Sequence, residues 1–147
     1  MDIFGGIKVK GIDKNGEEKE FSFSELGEKI VLYFYPKDNT PGCTKEARDF
    51  RDKLNKSNPN ATIVGISPDS IESHKKFLKE NSLNFPLLSD PDNKLAQRLG
   101  VGREKINQGK KYMSVDRSTF IIKNGLITKA WKNVHVDGHA EDVIKSL

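Results

Sequence analysis

The sequence predicts an α/β layered fold with a mixed sheet, on three observations. Two short, continuous apolar runs, residues 30–35 and Thr62–Ser67, are each followed by a segment with apolar residues at helical spacing, the pattern of buried strands joined by crossover helices. An Asn124-Gly125 pair, the strongest short hairpin signal, joins two further strand-like segments. A last helical pattern closes the chain. With 147 residues the chain is long enough to bury a core without staples, and residues 1–147 read as one domain.

Taken in order, residues 7–12 are the first apolar segment, Lys14-Asn15-Gly16 is a turn signal, and residues 20–23 alternate apolar and polar. Together they predict an N-terminal β-hairpin. Ser24-Glu25-Leu26 reads as a short helical turn. Ile30-Val31-Leu32-Tyr33-Phe34-Tyr35 is rich in β-branched and aromatic residues and predicts a central strand covered on both faces, ended by Pro36. Two prolines and a glycine make residues 36–42 a loop. Ala47, Phe50 and Leu54, spaced among charges, then predict an amphipathic helix over 43–55. Thr62–Ser67 is the second buried strand. A helix over 70–81 has Ser70 as its N-cap, with Ser73 three residues on and Ile71, His74, Phe77 and Leu78 on one face. Residues 85–88 form a short strand and 92–99 another helix, while the polar stretch 100–111 is a loop or insertion. Ser118–Lys123 and Leu126–Trp131 form the hairpin, with Trp131 as a packed residue, and 137–147 is the terminal helix. The order β–α–β, α, β–β–α is that of a thioredoxin-like core.

Composition narrows the function. Lys and Arg number 25 against 21 Asp and Glu, a net charge of +4, but the signs are interspersed and the longest basic runs are pairs. This is the pattern of a solvated surface, so no nucleic-acid partner is expected. The longest apolar stretch falls far short of the roughly 20 residues that span a bilayer. Residues 1–10 carry Asp2 and two lysines, unlike a secretory leader. A cytoplasmic protein without membrane partners is the expectation. The single cysteine, Cys43, can make neither an intramolecular disulfide nor a Cys-rich zinc site. His74, His135 and His139 are scattered without partnered carboxylate spacing and read as structural or surface residues, His139 as a helix-end group. No metal is expected.

The informative segment is Tyr33-Phe34-Tyr35-Pro36-Lys37-Asp38-Asn39-Thr40-Pro41-Gly42-Cys43-Thr44-Lys45-Glu46-Ala47. Thr40 suits an N-cap and Pro41 the first helical position, where a missing N–H costs nothing. Cys43 then falls in the first turn, where unpaired backbone N–H groups and the helix dipole favour a thiolate, the reactive form. The loop lies at the C-terminal end of a central strand, the edge where open α/β sheets place their sites. Alone, a free cysteine is as well explained as a buried small hydrophobe, Pro36 as a strand terminator, Thr40 as a cap and Arg117 as a surface strand residue.

These residues resemble the peroxiredoxins, most closely the peroxiredoxin Q or bacterioferritin comigratory protein group. The signature Pro, three residues, Thr or Ser, two residues, Cys stands here as Pro36, Thr40 and Cys43. Gly65-Ile66-Ser67-Pro68-Asp69-Ser70, Phe85-Pro86-Leu87-Leu88-Ser89-Asp90, Arg117-Ser118-Thr119-Phe120 and Val136-Asp137-Gly138-His139-Ala140 follow in the group's order, so the resemblance spans essentially the whole chain. It implies a thiol-dependent peroxidase acting on hydrogen peroxide and organic hydroperoxides, with no metal and no organic cofactor. Cys43 would be the attacking thiolate that becomes sulfenic acid. Thr40 would hydrogen-bond the peroxide, Pro36 would pack over the site and exclude water, and Arg117 would favour the thiolate and stabilise charge on the leaving oxygen.

The chain departs from the pattern at the second cysteine. Many members of the group carry it five residues after the first, where Arg48 stands, and others in the next helix, which reads Lys75 to Ser82 without one. The resemblance therefore implies recycling by an external thiol, whether thioredoxin, a glutaredoxin or a small thiol, and a monomer or weak homodimer. The alternative from a different class is a non-enzymatic redox sensor or holdase chaperone that uses Cys43 as a switch. A thiol–disulfide oxidoreductase would need a Cys-x-x-Cys pair that is missing.

Overall fold

β3 (Lys29–Phe34) is the strand on which both layers of the protein are built. Its alternating side chains divide the core. Ile30, Leu32 and Phe34 join Val64, Ile66, Phe120 and Ile122 on one face. Val31 and Tyr33, followed by Tyr35, join Cys43, Ala47, Phe50 and Phe77 on the other. A strand buried on both faces has no use for polar residues, which is why residues 30–35 form a continuous apolar run. Each such side chain removed from water contributes about 1.5–3 kcal/mol.

The structure is a computed structural model and describes residues 7–57 and 60–147. Of the N-terminal stretch 1–10 read as lacking a leader, the first six residues lie outside the described ones. The N-terminal hairpin is β1 (Lys8–Ile12) and β2 (Glu18–Ser22), closed where the Asp13 carboxylate accepts the N–H groups of Asn15 and Glu17 and Gly16 takes a φ of 84°. A one-turn helix, α1 (Phe23–Leu26), leads into β3. Then come α2 (Pro41–Ser57), β4 (Thr62–Ser67), α3 (Ile71–Glu80) and β5 (Leu87–Ser89). A 3-10 turn at Pro91–Asn93 precedes α4 (Lys94–Arg98), β6 (Gly102–Asn107), β7 (Lys110–Val115), β8 (Ser118–Lys123), β9 (Leu126–Trp131) and α5 (His139–Lys145). Seven strands make one mixed sheet in the order β2-β1-β5-β4-β3-β8-β9, with β3, β4 and β5 parallel and the other pairs antiparallel. This is the predicted thioredoxin-like arrangement with its N-terminal hairpin. Among the described residues no helix is long and apolar enough to cross a membrane.

Three elements differ from the sequence reading. The stretch 100–111, read as a loop or insertion, contributes to a hairpin of its own, β6 and β7, in a separate two-stranded sheet. β6 is almost wholly exposed, Ile106 reaching 69%, so no apolar alternation marks it. The usable signal was the turn, where Gln108 and Gly109 both take positive φ, the requirement of a tight two-residue hairpin. The strand placed at 85–88 begins instead at Leu87, because Pro86 has no N–H for the ladder and offers only its carbonyl, to the Gly65 N–H at 3.1 Å. The helix placed at 92–99 is broken near its start by Asp92 and Asn93, both left-handed, and resumes where the Asp90 carboxylate caps the N–H groups of Leu95 and Ala96. The N-cap at Ser70 holds, its hydroxyl accepting the Ser73 N–H at 3.2 Å.

Close packing of β3 on β4 yields a stability prediction. A Cβ on Gly65 would stand 2.9 Å from the ring of the fully buried Tyr33 and 3.0 Å from Leu87. Gly65→Ala should therefore lower the free energy of unfolding by about 1–3 kcal/mol, read as a lower urea midpoint at unchanged m-value. An unmoved midpoint would mean that Tyr33 can step aside.

Candidate active site

The end of β3 and the start of α2 carry the site because the chain must turn there within a few residues. β3 ends at Phe34, and Pro36 stands two residues on, at a half-buried position where it cannot extend the strand. Asn39 adopts a left-handed conformation, φ 64°, and α2 begins at Pro41. Thr40 precedes the helix and accepts the Thr44 N–H on its carbonyl at 2.9 Å. Its hydroxyl donates to the Lys37 carbonyl at 2.9 Å, so the side chain folds back on the loop. Cys43 is the third residue of α2, where the backbone N–H groups have no acceptor within the helix.

Cys43 is 1% exposed, on the apolar face that α2 turns toward the sheet with Ala47 and Phe50. The Arg117 guanidinium reaches it from the residue before β8, with Nη2 3.3 Å from Sγ and Nη1 2.6 Å from Oε1 of Glu46. Gly42 makes room for this approach, since a Cβ there would lie 3.2 Å from Nη2. The Arg117 backbone is held in turn, its carbonyl accepting the Val134 N–H at 2.9 Å. The structure thus brings Cys43 and Arg117 into contact and puts Thr40 one helical turn before the sulfur. Pro36 lies at the strand end that opens the same loop.

Glu46 escaped the sequence reading. It is 1% exposed, and its signal was available: an acid three residues after Cys43, beside the apolar stripe of the same helix. His139 is also buried rather than a simple helix-end group. Its Nε2 lies 2.7 Å from the Thr119 hydroxyl, and Phe50 and Trp131 pack their rings edge-on against it. Trp131 is the packed hairpin residue predicted. His74 is fully buried, paired with a carboxylate 36 residues away in sequence.

Burial sets the electrostatics. It pushes the Glu46 carboxyl up to about 7 against the pull of Arg117. Burial works to lower Arg117, but the negative charges of Glu46 and Cys43 outweigh it and hold the guanidinium above its ordinary value. Burial pushes His139 down to about 4, with Asp142 opposing and Arg117 adding to the shift, so the ring is neutral at neutral pH. Tyr33, also buried, is held well above the usual phenol range, with Glu46 and Cys43 contributing.

Comparison with known proteins gives one consistent answer. The AhpC/TSA family matches residues 6–130. The chain is 49% identical over 151 residues to peroxiredoxin Bcp of Bacillus subtilis, covering 100% of this chain and 96% of that one. Peroxiredoxin Q of Xanthomonas campestris superposes with a TM-score of 0.81 at 37% identity, over 94% of this chain and 88% of that one. A bacterioferritin comigratory protein of the same organism, solved as a trapped intermediate/ligand complex and described for its alkyl peroxide reduction activity, superposes with a TM-score of 0.79 at 36% identity and the same coverage.

The shifts at Glu46 and His139 have opposite signs on stability. Glu46 keeps its proton up to about 7 in the folded chain, while an unfolded glutamate loses it near ~4.3. The folded state is the better proton binder between those values, so Glu46 makes stability fall as pH rises from about 4.5 to about 7. His139 titrates at about 4 folded and near ~6.5 unfolded. Its contribution is fully present above that upper value and is lost as pH falls toward 4. Glu46→Gln removes the first effect alone. Relative to the parent, its stability should rise by on the order of 3 kcal/mol between pH 4.5 and 7, measured by urea unfolding along a pH series. A difference that stays flat with pH would refute the buried, late-titrating carboxyl.

Proposed function

Because the chain belongs to the AhpC/TSA family, among its Bcp and peroxiredoxin Q members, it is a thiol-dependent peroxidase, and we propose that Cys43 performs the reaction as a thiolate that passes through sulfenic acid. The observation that carries this reading is the Arg117 guanidinium 3.3 Å from Cys43 Sγ, oriented by its second contact to Glu46. A guanidinium beside sulfur stabilises the anion, and in a water-poor site its charge is only weakly screened.

The reaction runs as a displacement at oxygen. Sγ attacks the terminal peroxide oxygen, an S–O bond forms as the O–O bond breaks, and the departing oxygen takes a proton to leave as water or an alcohol. Cys43 is left as sulfenic acid. With its own proton committed to the Lys37 carbonyl, the Thr40 oxygen is available to accept a hydrogen bond from the peroxide O–H. Arg117 faces the charge that develops on the oxygens, and Pro36 shields the loop from water. Burial of the sulfur suits a substrate that inserts only an O–OH end, which both hydrogen peroxide and an alkyl hydroperoxide offer. Cys43 is the one cysteine of the chain, so an external thiol attacks the sulfenic sulfur, releasing water and leaving a mixed disulfide. A second thiol then restores Cys43. Thioredoxin, a glutaredoxin or a small thiol all fit that chemistry, as do a monomer or weak homodimer and a cytoplasmic setting.

Steady-state peroxide consumption with dithiothreitol tests the assignment. Cys43→Ser should abolish turnover, and Arg117→Ala should slow it by about 10²–10³-fold, the scale of one lost transition-state donor. Turnover retained in Cys43→Ser removes the reading. With excess peroxide and no thiol, Cys43 should advance to sulfinic acid because no second cysteine traps the sulfenate. An intact mass without two added oxygen atoms would contradict the one-cysteine cycle.

A further inference from the structure

A second set of buried polar groups grips the cysteine loop, and the chemistry above leaves it unused. Asp38 lies midway between Pro36 and Thr40 and is 4% exposed. Its Oδ1 accepts the Tyr35 hydroxyl at 2.7 Å, and its Oδ2 accepts the Ser73 hydroxyl at 2.8 Å. The same Oδ2 faces His74 Nδ1 at 2.7 Å. His74 Nε2 stands 2.7 Å from the Leu88 carbonyl, which can only accept, so that nitrogen carries a hydrogen. The anchors come from the end of β3, from α3 and, through the histidine ring, from β5. Asp38, Asp69 and His74 place ligand atoms within 4.8 Å of one another, yet every Asp38 oxygen and both His74 nitrogens already have a partner in the protein.

The consequence for the site runs through one peptide plane. The Asp38 N–H donates to Asp69 Oδ2 at 2.7 Å, and Asp69 is itself held by the Ser67 hydroxyl at 2.8 Å. The carbonyl on the other side of that amide belongs to Lys37 and receives the Thr40 hydroxyl at 2.9 Å. The peptide unit is planar, so a grip on its N–H aims its C=O. Asp69 on the backbone and His74, Tyr35 and Ser73 on the side chain therefore determine where the Thr40 oxygen points. Buried polar groups that are all hydrogen-bonded hold one arrangement, because any other would leave a donor or acceptor unpaired away from water.

We propose that Asp38, clamped by His74, Tyr35 and Ser73, is a positioning residue of the peroxide site that aims the Thr40 hydroxyl through the Lys37–Asp38 peptide. The proposal rests on the reading of Cys43 as the peroxide-reactive group. It predicts a selective defect. Thr40 matters to a bound peroxide, whereas alkylation by iodoacetamide uses the same buried sulfur without a peroxide O–H for Thr40 to receive.

The test compares second-order rate constants of reduced Cys43 with hydrogen peroxide and with iodoacetamide. Asp38→Asn should slow the peroxide reaction by about tenfold to a hundredfold, the scale of a misplaced reacting group, while alkylation keeps its wild-type rate. Tyr35→Phe and Ser73→Ala each delete one donor to Asp38 and should show the same selective loss in smaller degree; they decide the matter if Asp38→Asn does not fold. Parallel losses in both reactions, or folded variants with wild-type peroxide rates, overturn the clamp. A wild-type protein that alkylates but does not react with peroxide overturns the reading of Cys43 instead.

Discussion

One guanidinium between two buried acids is the constraint on which the site depends. Arg117 meets Glu46 at 2.6 Å and the Cys43 sulfur at 3.3 Å, and both of its partners are 1% exposed. Burial pushes the Glu46 carboxyl up to about 7 against the pull of Arg117. Glu46 is therefore more than a strut for the guanidinium: the charge at Nη1 changes across that pH while Nη2 stays in contact with the sulfur.

The fold supplies this arrangement by converging three strand ends. β3 delivers the loop, β8 starts one residue after Arg117, and the connection between β9 and α5 pins the Arg117 carbonyl through Val134. Gly42 leaves room for the guanidinium, since a Cβ there would lie 3.2 Å from Nη2. His139 completes the underside: neutral, hydrogen-bonded to Thr119 and walled by aromatic rings, it adds no charge beside Arg117. The cation is thus reserved for the two acids it touches.

Where the sequence was legible, one local signal decided the outcome. Apolar runs marked β3 and β4, Asn124-Gly125 marked the β8–β9 hairpin, and Ser70 marked the start of α3. Pro41 and Cys43 were readable because a first-turn proline and a first-turn thiol are local, whereas Thr40, read as a cap, stands before the helix with its hydroxyl given to the Lys37 carbonyl. What escaped was non-local or polar. β6 is exposed along nearly its whole length, so no buried face imposes alternation on it. Asp38 and His74 look like an ordinary loop acid and a scattered histidine until a 36-residue contact joins them. Glu46 sits beside the apolar stripe of α2, but its partner Arg117 lies 71 residues away, so its spacing hints at burial without showing what receives its charge.

The middle of α2 is fixed to its neighbour by two arginines. Arg48 donates from Nε to Asn81 Oδ1 at 3.0 Å, and Arg51 donates to the Asn81 carbonyl at 2.6 Å. Asn81 closes α3, its side-chain amide donating to the Phe77 carbonyl. Two arginines one turn apart therefore staple the middle of α2 to the end of α3. Both contacts hold α2 against α3 beyond its first turn, so the helix keeps its shape where Cys43 meets Arg117.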